Sequence, residues 1–369
     1  MIAQTGKGST LYSFVFVDCM TKEELKYLQA LPLYLKVSLT RTRLREFINE
    51  YGEENVYISF SGGKDSLVLL HIARSMYPNL HAVYLDTWLE MPDVRVFVKK
   101  FDNIEYIKPK KDMKTIIRDN GWCFPSKDVS QLIAELRKDN PSKWAIQKVN
   151  GLDSRGNYSE YRQRYKKWKC LVDSPFKISD GCCFDMKEIP VAEYEKATGR
   201  HPILALMASE SARRENAYLK TGCNSFDTRF VTDSEGNERQ IAVNRPISKP
   251  MGFWTENDVL RYIYENKLEI AKSYGEILVK DNTLGQLSFF DYLSADERKG
   301  CSECAFCTTG EKRTGCAFCP VGCHLDGFQK FNSLKKAYPK LHDYCMEELG
   351  EKELIAWIKR NLHLINKNA

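Results

Sequence analysis

The chain has 369 residues, of which 43% are hydrophobic and 28% charged, and its formal net charge is +6. This length accommodates one large α/β domain with an appendage, or two domains, and the composition is that of an ordinary soluble globular protein. No stretch has the apolar length of a membrane span and residues 1–20 show no signal-peptide pattern, so we expect a cytoplasmic protein without a membrane partner. The mildly basic charge suits a polyanionic small ligand and permits a nucleic acid partner.

The cysteines are numerous and unevenly distributed. There are 13 in total, of which two are adjacent and six fall between residues 301 and 323. In a reducing compartment, clustered cysteines indicate metal ligands or redox groups rather than disulfides. An isolated cysteine is usually a small core residue. The pattern therefore predicts metal or redox chemistry that involves the C-terminal part of the chain.

Two helices precede the first predicted strand. Residues 21–50 carry a helical pattern that Pro32 divides into a short and a longer helix. No chemistry is apparent there, and we interpret this stretch as a packing element.

A phosphate-binding loop is predicted where the first strand ends. Residues 56–60 are apolar, β-branched and aromatic, which is typical of a short buried strand, and residues 67–74 have a helical pattern. The sequence Ser-Gly-Gly-Lys-Asp-Ser joins them. Its glycines allow the backbone to approach an anion at the helix N-terminus, while Lys64 adds a charge and the serines add hydroxyl donors.

This loop lacks the Walker A spacing and resembles instead the PP-loop, Ser-Gly-Gly-Xaa-Asp-Ser, of the adenine nucleotide α-hydrolase superfamily. That superfamily acts on ATP or adenylyl sulfates at the α-phosphate. The alternative is an ordinary serine-glycine turn at a helix N-terminus. Asp65 would either coordinate Mg²⁺ or cap the helix. The resemblance implies a nucleotide site that comprises Ser59, Ser61, Gly62, Gly63, Lys64, Asp65, Ser66 and Asp86.

The following segments predict a doubly wound, mostly parallel α/β sheet. Residues 81–87 and 104–107 are predicted strands, and a helix over 94–101 separates them. Asp86 stands at the carboxyl end of its strand, where open α/β sheets bind their ligands. A later strand over 203–207 leads into Glu210 and Arg214 in the same way.

A basic and aromatic cluster occupies residues 162–169. Such clusters can bind nucleic acid. We favour an amphipathic helix with a solvated basic face. Further along the chain, residues 240–243 predict a short strand, and Thr255 and Asp258 fit a capping box that opens a helix.

The clustered cysteines fit a metal centre. Cys182 and Cys183 are adjacent; they cannot easily bond to each other, but both thiolates can bind one cluster. Cys316 and Cys319 form a Cys-X-X-Cys loop with the spacing used for zinc and for iron–sulfur centres.

Together these features resemble the phosphoadenylyl-sulfate and adenylyl-sulfate reductase family. Its iron–sulfur members carry a Cys-Cys pair and a distant Gly-Cys-X-X-Cys that bind one [4Fe-4S] cluster. The resemblance implies that Cys182, Cys183, Cys316 and Cys319 are the ligands. The remaining motifs that carry it are the PP-loop, Asp86 with Pro92, Glu210-Ser211 with Arg214, and the run Arg245-Pro246-Ile247, Trp254-Thr255 and Asp258-Val259.

The other clustered cysteines leave alternatives open. Cys301, Cys304, Cys307 and Cys323 could form a second four-thiolate site that holds zinc or an iron–sulfur cluster. Alternatively, the C-terminal region holds a structural zinc and the Cys-Cys pair takes no part. The expected organisation is a helical element over 1–50, a PP-loop domain over 51–270 and a cysteine-rich metal-binding region over 271–369.

The sequence departs from the reductases at three places, of which the extra cysteines Cys301, Cys304, Cys307 and Cys323 are one. Met207 stands where the family often has an arginine, and the C-terminal Glu-Cys-Gly-X-His nucleophile is absent; Cys345 lies in a different context. Two chemistries therefore remain: reduction of an adenylyl sulfate with a thiol reductant, or adenylation by ATP followed by sulfur transfer from a donor protein to an acceptor such as DNA or tRNA. A non-catalytic, zinc-containing nucleic-acid-binding protein is a third hypothesis. For an enzyme, the expected catalytic residues are Lys64, Asp65, Glu210 and Arg214.

Overall fold

The computed structural model describes residues 20–226, 228–232, 238–242, 245–279 and 305–367. The strands are β1 (Val56–Ser59), β2 (Ala82–Leu85), β3 (Ile104–Ile107), β4 (His201–Ile203), β5 (Asn224–Ser225), β6 (Thr228–Thr232), β7 (Glu238–Ala242), β8 (Ile247–Ser248), β9 (Ile277–Val279) and β10 (Phe306–Thr308). The helices are α1 (Lys22–Ala30), α2 (Leu33–Tyr51), α3 (Lys64–Arg74), α4 (Pro92–Val98), α5 (Met113–Asn120), α6 (Lys127–Leu136), α7 (Lys143–Val149), α8 (Glu160–Gln163), α9 (Gly181–Cys183), α10 (Ile189–Thr198), α11 (Ala212–Thr221), α12 (Glu256–Glu265), α13 (Gln329–Ala337), α14 (Pro339–Asp343) and α15 (Glu351–Lys367).

Six of the strands form the central sheet, in the order β3-β2-β1-β4-β8-β5. All neighbours are parallel except β5, which pairs antiparallel with β8. The predicted mostly parallel α/β sheet is therefore confirmed. Because β2 and β3 lie on one side of β1 and β4 lies on the other, the strand order reverses between β1 and β4. Ligands of open α/β sheets bind at the carboxyl ends of the strands beside such a point.

One predicted strand is shorter than expected. The sequence predicts a strand over 203–207, but β4 ends at Ile203. Its neighbour β8 has two residues, so pairing stops soon after the hydrogen bond from Leu204 N to Ser248 O at 2.8 Å. The chain then leaves the sheet and carries Met207 toward the loop that follows β1.

Two hydrophobic cores support this architecture. The first packs the sheet against α2, α3, α4 and α12, and Trp254 and Phe47 are fully buried in it. The second joins residues between Leu89 and Met186 to residues between Cys316 and Ile358. The cysteine-rich C-terminal segment is thus packed on the long segment between β3 and β4.

The N-terminal helices are confirmed, with Pro32 between α1 and α2. A buried ion pair fixes α2 to α12: Lys36 Nζ lies 2.6 Å from Asp258 Oδ2. Asp258 also takes part in the predicted capping box, since its backbone N–H donates to Thr255 Oγ1 at 3.4 Å. No helix within the described ranges is long and apolar enough to cross a membrane.

The basic and aromatic cluster does not form one amphipathic helix. α8 ends at Gln163, and a separate 3₁₀ helix covers Lys166–Leu171. Tyr165 and Trp168 are both buried in or against the second core. In a 3₁₀ turn residues three apart lie on the same side, so this geometry, unlike a solvated α-helix, directs both rings inward.

Candidate nucleotide and thiol site

The loop between β1 and α3 has the form of a phosphate cradle. Ser66 Oγ accepts from Ser61 N at 3.2 Å, and Ser61 Oγ accepts from Gly63 N at 3.3 Å. Gly62 has a φ of +71°, and a Cβ there would lie 2.6 Å from Val98 Cγ2. Both the backbone conformation and the close approach of α4 therefore require glycine. α3 begins at Lys64 without a cap from the side chain of its N-cap residue; apart from the N–H of Lys64, which donates to Tyr274 Oη, the N–H groups of its first turn are available to an anion.

Lys64 is buried, and its ammonium is held by groups distant in sequence. Its Nζ donates to Lys312 O at 2.7 Å and lies 3.3 Å from Glu256 Oε1. The backbone N–H of Lys64 donates to Tyr274 Oη at 3.3 Å, and that hydroxyl also bonds Thr314 Oγ1 at 2.7 Å. No sequence pattern pointed to Tyr274, Thr314 or Glu256, since their contacts with the loop arise from folding.

A cavity of about 90 Å³ opens beside the loop. Asp65 Oδ1 is buried there, 3.9 Å from Lys64 Nζ, and has no hydrogen-bond partner among the described residues. Burial raises the pKa of Asp65, and the Lys64 charge opposes that rise. The absence of a side-chain cap on α3 favours the ligand-binding hypothesis for Asp65 over the capping one. The lining residues are Lys64, Asp65, Met207, Ser209, Glu210, Glu256 and Arg313.

Two arginines converge on Glu210 at the far wall. Glu210 forms a close ion pair with Arg214, and its Oε1 lies 3.8 Å from Arg313 Nη1. Burial, followed by the neighbouring charge of Arg313, lowers the pKa of Arg214. The two guanidinium groups share the Glu210 carboxylate, and with Lys64, Asp65 and Glu256 the cavity is bordered by three cations and three carboxylates. An anion bound there competes with these carboxylates for the cations. Arg313 lines the same cavity as Met207, the residue that stands where the resembled family often has an arginine.

Asp86 lies at the carboxyl end of β2 as predicted, but its carboxylate is already engaged. Arg95 Nε and Nη2 donate to its two oxygens at 3.0 and 2.9 Å, and Trp88 N donates at 3.1 Å. Its contact with a ribose or a metal stays a prediction. Ser59 is the last residue of β1, directly before the loop, and its contact with a nucleotide also stays a prediction.

The four cysteines that the family resemblance implies as ligands come together in the second core. Cys182 and Cys316 are buried, and Cys183 and Cys319 pack partly buried against the same cluster. Cys123 joins them as a fifth thiol that the sequence did not single out. The neighbouring Cys183 sulfur raises the pKa of Cys123 and that of Cys182, and burial adds to the rise.

The Cys183 sulfur is the most acidic of the group. The neighbouring thiols of Cys123 and then Cys182, assisted by the charges of Lys127 and Lys187, lower the pKa of Cys183 from its ordinary value. Burial raises the pKa of Cys319 to about 11. A wide helical turn over Phe184–Glu188 follows the pair, and such turns are frequent at functional sites.

The metal prediction is not confirmed by this geometry. Within the described ranges, no group of three or more His, Cys, Asp or Glu side chains is placed to hold a metal ion. Buried thiols with lysines beside them suit a soft metal or an iron–sulfur cluster in chemical type. Cys323 lies in the second core, whereas Cys307 lies on β10, outside it. Cys301 and Cys304 lie outside the described residues.

A short segment connects the thiols with the phosphate cradle. Lys312 O binds Lys64, Arg313 faces Glu210, Thr314 bonds Tyr274, and Cys316 follows two residues later. Lys64 and Cys316 are separated by about two thirds of the sequence. In the fold, the five residues 312–316 connect the phosphate loop at one end with the thiols at the other.

A family model for the phosphoadenosine phosphosulfate reductase domain matches residues 55–324. An uncharacterized protein of Methanocaldococcus jannaschii is 31% identical over 139 residues, which make up 32% of this chain and 33% of that relative. The chain thus matches about a third of that relative's length.

Two solved structures cover more of the chain at lower identity. Phosphoadenylyl-sulfate reductase from Candida auris, in a phosphate complex, has a TM-score of 0.34 and 15% identity over 69% of this chain and 90% of its own. FMN adenylyltransferase from Candida glabrata has a TM-score of 0.33 and 10% identity over 71% of this chain and 73% of its own. Both scores are low, so the assignment rests on the family match.

The fold and the loop at its switch point define a member of the PP-loop class of nucleotide-binding proteins. Because the family match covers most of the chain, the protein belongs to the phosphoadenosine phosphosulfate reductase domain family.

Proposed function

We propose that the protein is an enzyme that binds ATP or an adenylyl sulfate at the PP-loop and acts at the α-phosphate or sulfate in a sulfur transfer or reduction. The observation that carries this proposal is the cavity in which Lys64, Asp65 and the Glu210–Arg313 pair meet. It lies beside β1 and β4, where the strand order reverses and open sheets bind nucleotides.

Each residue has a role in this proposal. Backbone N–H groups of Gly62 and Gly63 hold the phosphates, and Ser61 and Ser66 add hydroxyl donors. Lys64 exchanges its contact with Glu256 for a phosphate oxygen. At the far wall of the cavity, Arg214 and Arg313 neutralise charge that develops at the α-phosphate. Asp65 binds Mg²⁺ or the nucleotide directly.

The sulfur chemistry remains divided between two routes. Cys345 is fully buried, and burial raises its pKa to about 12, so it is poorly suited to act as the missing thiolate nucleophile of a reductase. This observation favours adenylation by ATP with sulfur supplied by a donor protein. If a [4Fe-4S] cluster is present, Cys182, Cys183, Cys316 and Cys319 are its proposed ligands, and it would supply redox or sulfur-binding chemistry next to the nucleotide.

The test is product analysis on anaerobically purified protein. Adenylyl sulfate, phosphoadenylyl sulfate and ATP are each incubated with Mg²⁺ and a thiol reductant, and sulfite, AMP, 3′,5′-bisphosphoadenosine and pyrophosphate are quantified. Sulfite from a sulfated nucleotide establishes a reductase. Pyrophosphate and AMP from ATP, without sulfite, establish an adenylating enzyme.

Binding is measured in parallel, because turnover can require an absent acceptor. A fluorescent ATP analogue should bind the native protein and lose most of its affinity for Lys64→Ala. Lys26→Ala, which removes an exposed lysine from α1, is the matched control. Equal affinity of the native protein and Lys64→Ala for every nucleotide would contradict the proposal.

A further inference from the structure

Aromatic rings and cations alternate along one surface of the segment between β3 and β4. Lys148 Nζ lies 4.7 Å from the centre of the Trp144 ring and 4.5 Å from that of Tyr165. Arg164 Cζ lies 5.0 Å from the Tyr165 ring and 3.7 Å from the Tyr161 ring. The order Trp144, Lys148, Tyr165, Arg164, Tyr161 is continuous, and we call it the cation–aromatic ladder.

The ladder is fixed at its centre and open at its ends. Asp128 Oδ1 lies 2.6 Å from Lys148 Nζ, and Asp128 Oδ2 accepts from Tyr165 Oη at 2.5 Å. Lys148 and Tyr165 are buried, whereas Trp144 is 43% and Tyr161 64% exposed. Exposed aromatic rings held by a buried framework are pre-organised for stacking, because little side-chain entropy remains to be lost on binding.

Positive charge is concentrated around the ladder. Residues 143–169 contain eight Lys and Arg against two Asp and Glu, a net charge of +6 that equals the net charge of the whole chain. The rest of the protein is therefore electrically balanced, and one segment of 27 residues carries the excess. A segment with this excess of basic residues, which includes both cations of the ladder, favours binding of a polyanion.

Four of the eight cations in this segment have no ion-pair partner among the described residues. Lys143, Arg155, Lys166 and Lys169 are exposed, and no carboxylate of the described residues lies within 4.0 Å of their charged groups. Some surface cations elsewhere are paired, as Lys110 is with Glu193, 2.5 Å away. These unpaired charges are available to an external anion, which favours a binding role for this surface over a purely structural one.

From the ladder and its charge we propose that this surface binds single-stranded nucleic acid. Exposed Trp144 and Tyr161 offer faces on which unpaired bases stack, and the surrounding lysines and arginines contact the phosphates. A duplex conceals its base faces, so it would use the charges but not the rings. The proposal goes beyond the nucleotide chemistry of the PP-loop and does not depend on it, since neither ring nor cation belongs to that site.

The experiment is fluorescence anisotropy on the full chain, with labelled single-stranded RNA and DNA of about 20 nucleotides and the corresponding duplexes. We expect the single strands to bind more tightly than the duplexes. Trp144→Ala and Tyr161→Ala should each weaken single-strand binding about 10-fold, and the double variant should weaken it more. RNA and DNA are separate arms, and preferential binding of either supports the proposal.

The charge component is measured through salt. Lys166→Ala with Lys169→Ala should reduce the slope of log affinity against log salt concentration by about one to two units. The control is Tyr27→Ala with Tyr34→Ala, two tyrosines of α1 and α2 that are 70% and 71% exposed. Trp144→Phe and Tyr161→Phe keep an aromatic face and should retain most of the affinity, which separates stacking from misfolding.

Three outcomes would overturn the proposal: no binding of either single strand by the native chain, equal binding of duplex and single strand, or equal losses in the ladder and control variants. Lys64→Ala should leave the affinity for single strands unchanged. The nucleotide proposal and this one can therefore fail separately, because they are tested with different variants and different ligands.

Discussion

Lys64 Nζ donates to the backbone carbonyl of Lys312 at 2.7 Å, across 248 positions of sequence. This bond attaches the phosphate cradle to the segment that carries Cys316. Since Thr314 in the same segment bonds Tyr274, whose hydroxyl accepts from Lys64 N, the attachment is double. The loop after β1 and the segment that carries Cys316 are thus joined by two sets of hydrogen bonds.

Tyr274→Phe tests this attachment. It removes the hydroxyl that accepts from Lys64 N and bonds Thr314, while it keeps the ring beside Lys64. A lost hydrogen bond of this type costs about 1 kcal/mol, so nucleotide affinity should fall roughly fivefold. Isothermal titration with ATP or adenylyl sulfate measures it. Tyr218→Phe, which loses a hydroxyl contact with Cys223, should leave the affinity unchanged.

Glu256→Gln should tighten nucleotide binding. Glu256 Oε1 lies 3.3 Å from Lys64 Nζ and lines the same cavity, so its charge competes with a phosphate for the ammonium. Removal of the charge should increase affinity by about 3- to 10-fold, with less effect at high salt. The same titration, repeated at two salt concentrations, provides the measurement. A fall in affinity would show that Glu256 assists the ligand, for example through Mg²⁺.

The proposed cluster ligands Cys182, Cys183, Cys316 and Cys319 can be tested by metal analysis. We expect anaerobically purified protein to contain iron and acid-labile sulfide, and to absorb visible light. Cys183→Ser or Cys316→Ser should remove both components, because thiolates dominate the binding of such clusters. Cys170→Ser, which alters a half-buried cysteine that bonds Lys167 O, is the matched control. Stoichiometric zinc without iron would favour the structural-zinc hypothesis.

Lys36→Met should destabilise the fold strongly. Lys36 and Asp258 form a buried pair at 2.6 Å, and removal of one partner leaves a buried charge uncompensated. Such losses amount to about 3–5 kcal/mol in the free energy of unfolding. Urea denaturation of Lys36→Met, Asp258→Asn and the double variant should give a coupling energy of about 1–3 kcal/mol. Lys100→Met, which removes an exposed ion pair with Glu269, should change stability by less than about 1 kcal/mol.

Glu351 should make stability depend on pH. It is fully buried beside Cys323, Cys345 and Lys330, and neither carboxylate oxygen has a hydrogen-bond partner among the described residues. Burial raises its pKa well above 4.5, and the charge of Lys330 opposes that rise. Above pH 4.5 the folded state then retains a proton that the unfolded state loses.

The sign follows from this difference. The contribution of Glu351 to stability falls as pH rises from 4.5 through its folded pKa, and it is constant above that value. Glu351→Met should abolish this fall and raise the urea midpoint at neutral pH. Glu347→Gln, at an exposed residue paired with Lys352, should preserve the native pH profile. Identical pH profiles for native protein and Glu351→Met would refute the assignment.

Local sequence patterns determined the secondary structure around the phosphate loop and the ends of several helices. The apolar run before Ser61, the two glycines and Lys64 specify a strand, a tight turn and a helix N-terminus, because each depends on neighbours within a few residues. The capping box at Thr255 and the helix break at Pro32 are local in the same sense. The parallel sheet followed from the alternation of strands and helices, and the family from the order of the motifs.

The tertiary structure decided which distant residues meet. Tyr274 reaches the phosphate loop because it is buried in the first core. Thr314 and Arg313 reach the cavity because the C-terminal segment packs on the residues between β3 and β4, and Cys123 meets Cys183 inside the second core. Similarly, a buried Tyr165 lies between Lys148 and Arg164 because the second core draws its ring inward, which turns a basic segment into an ordered stack. Burial and long-range packing set these contacts, and no periodicity within a short window records them.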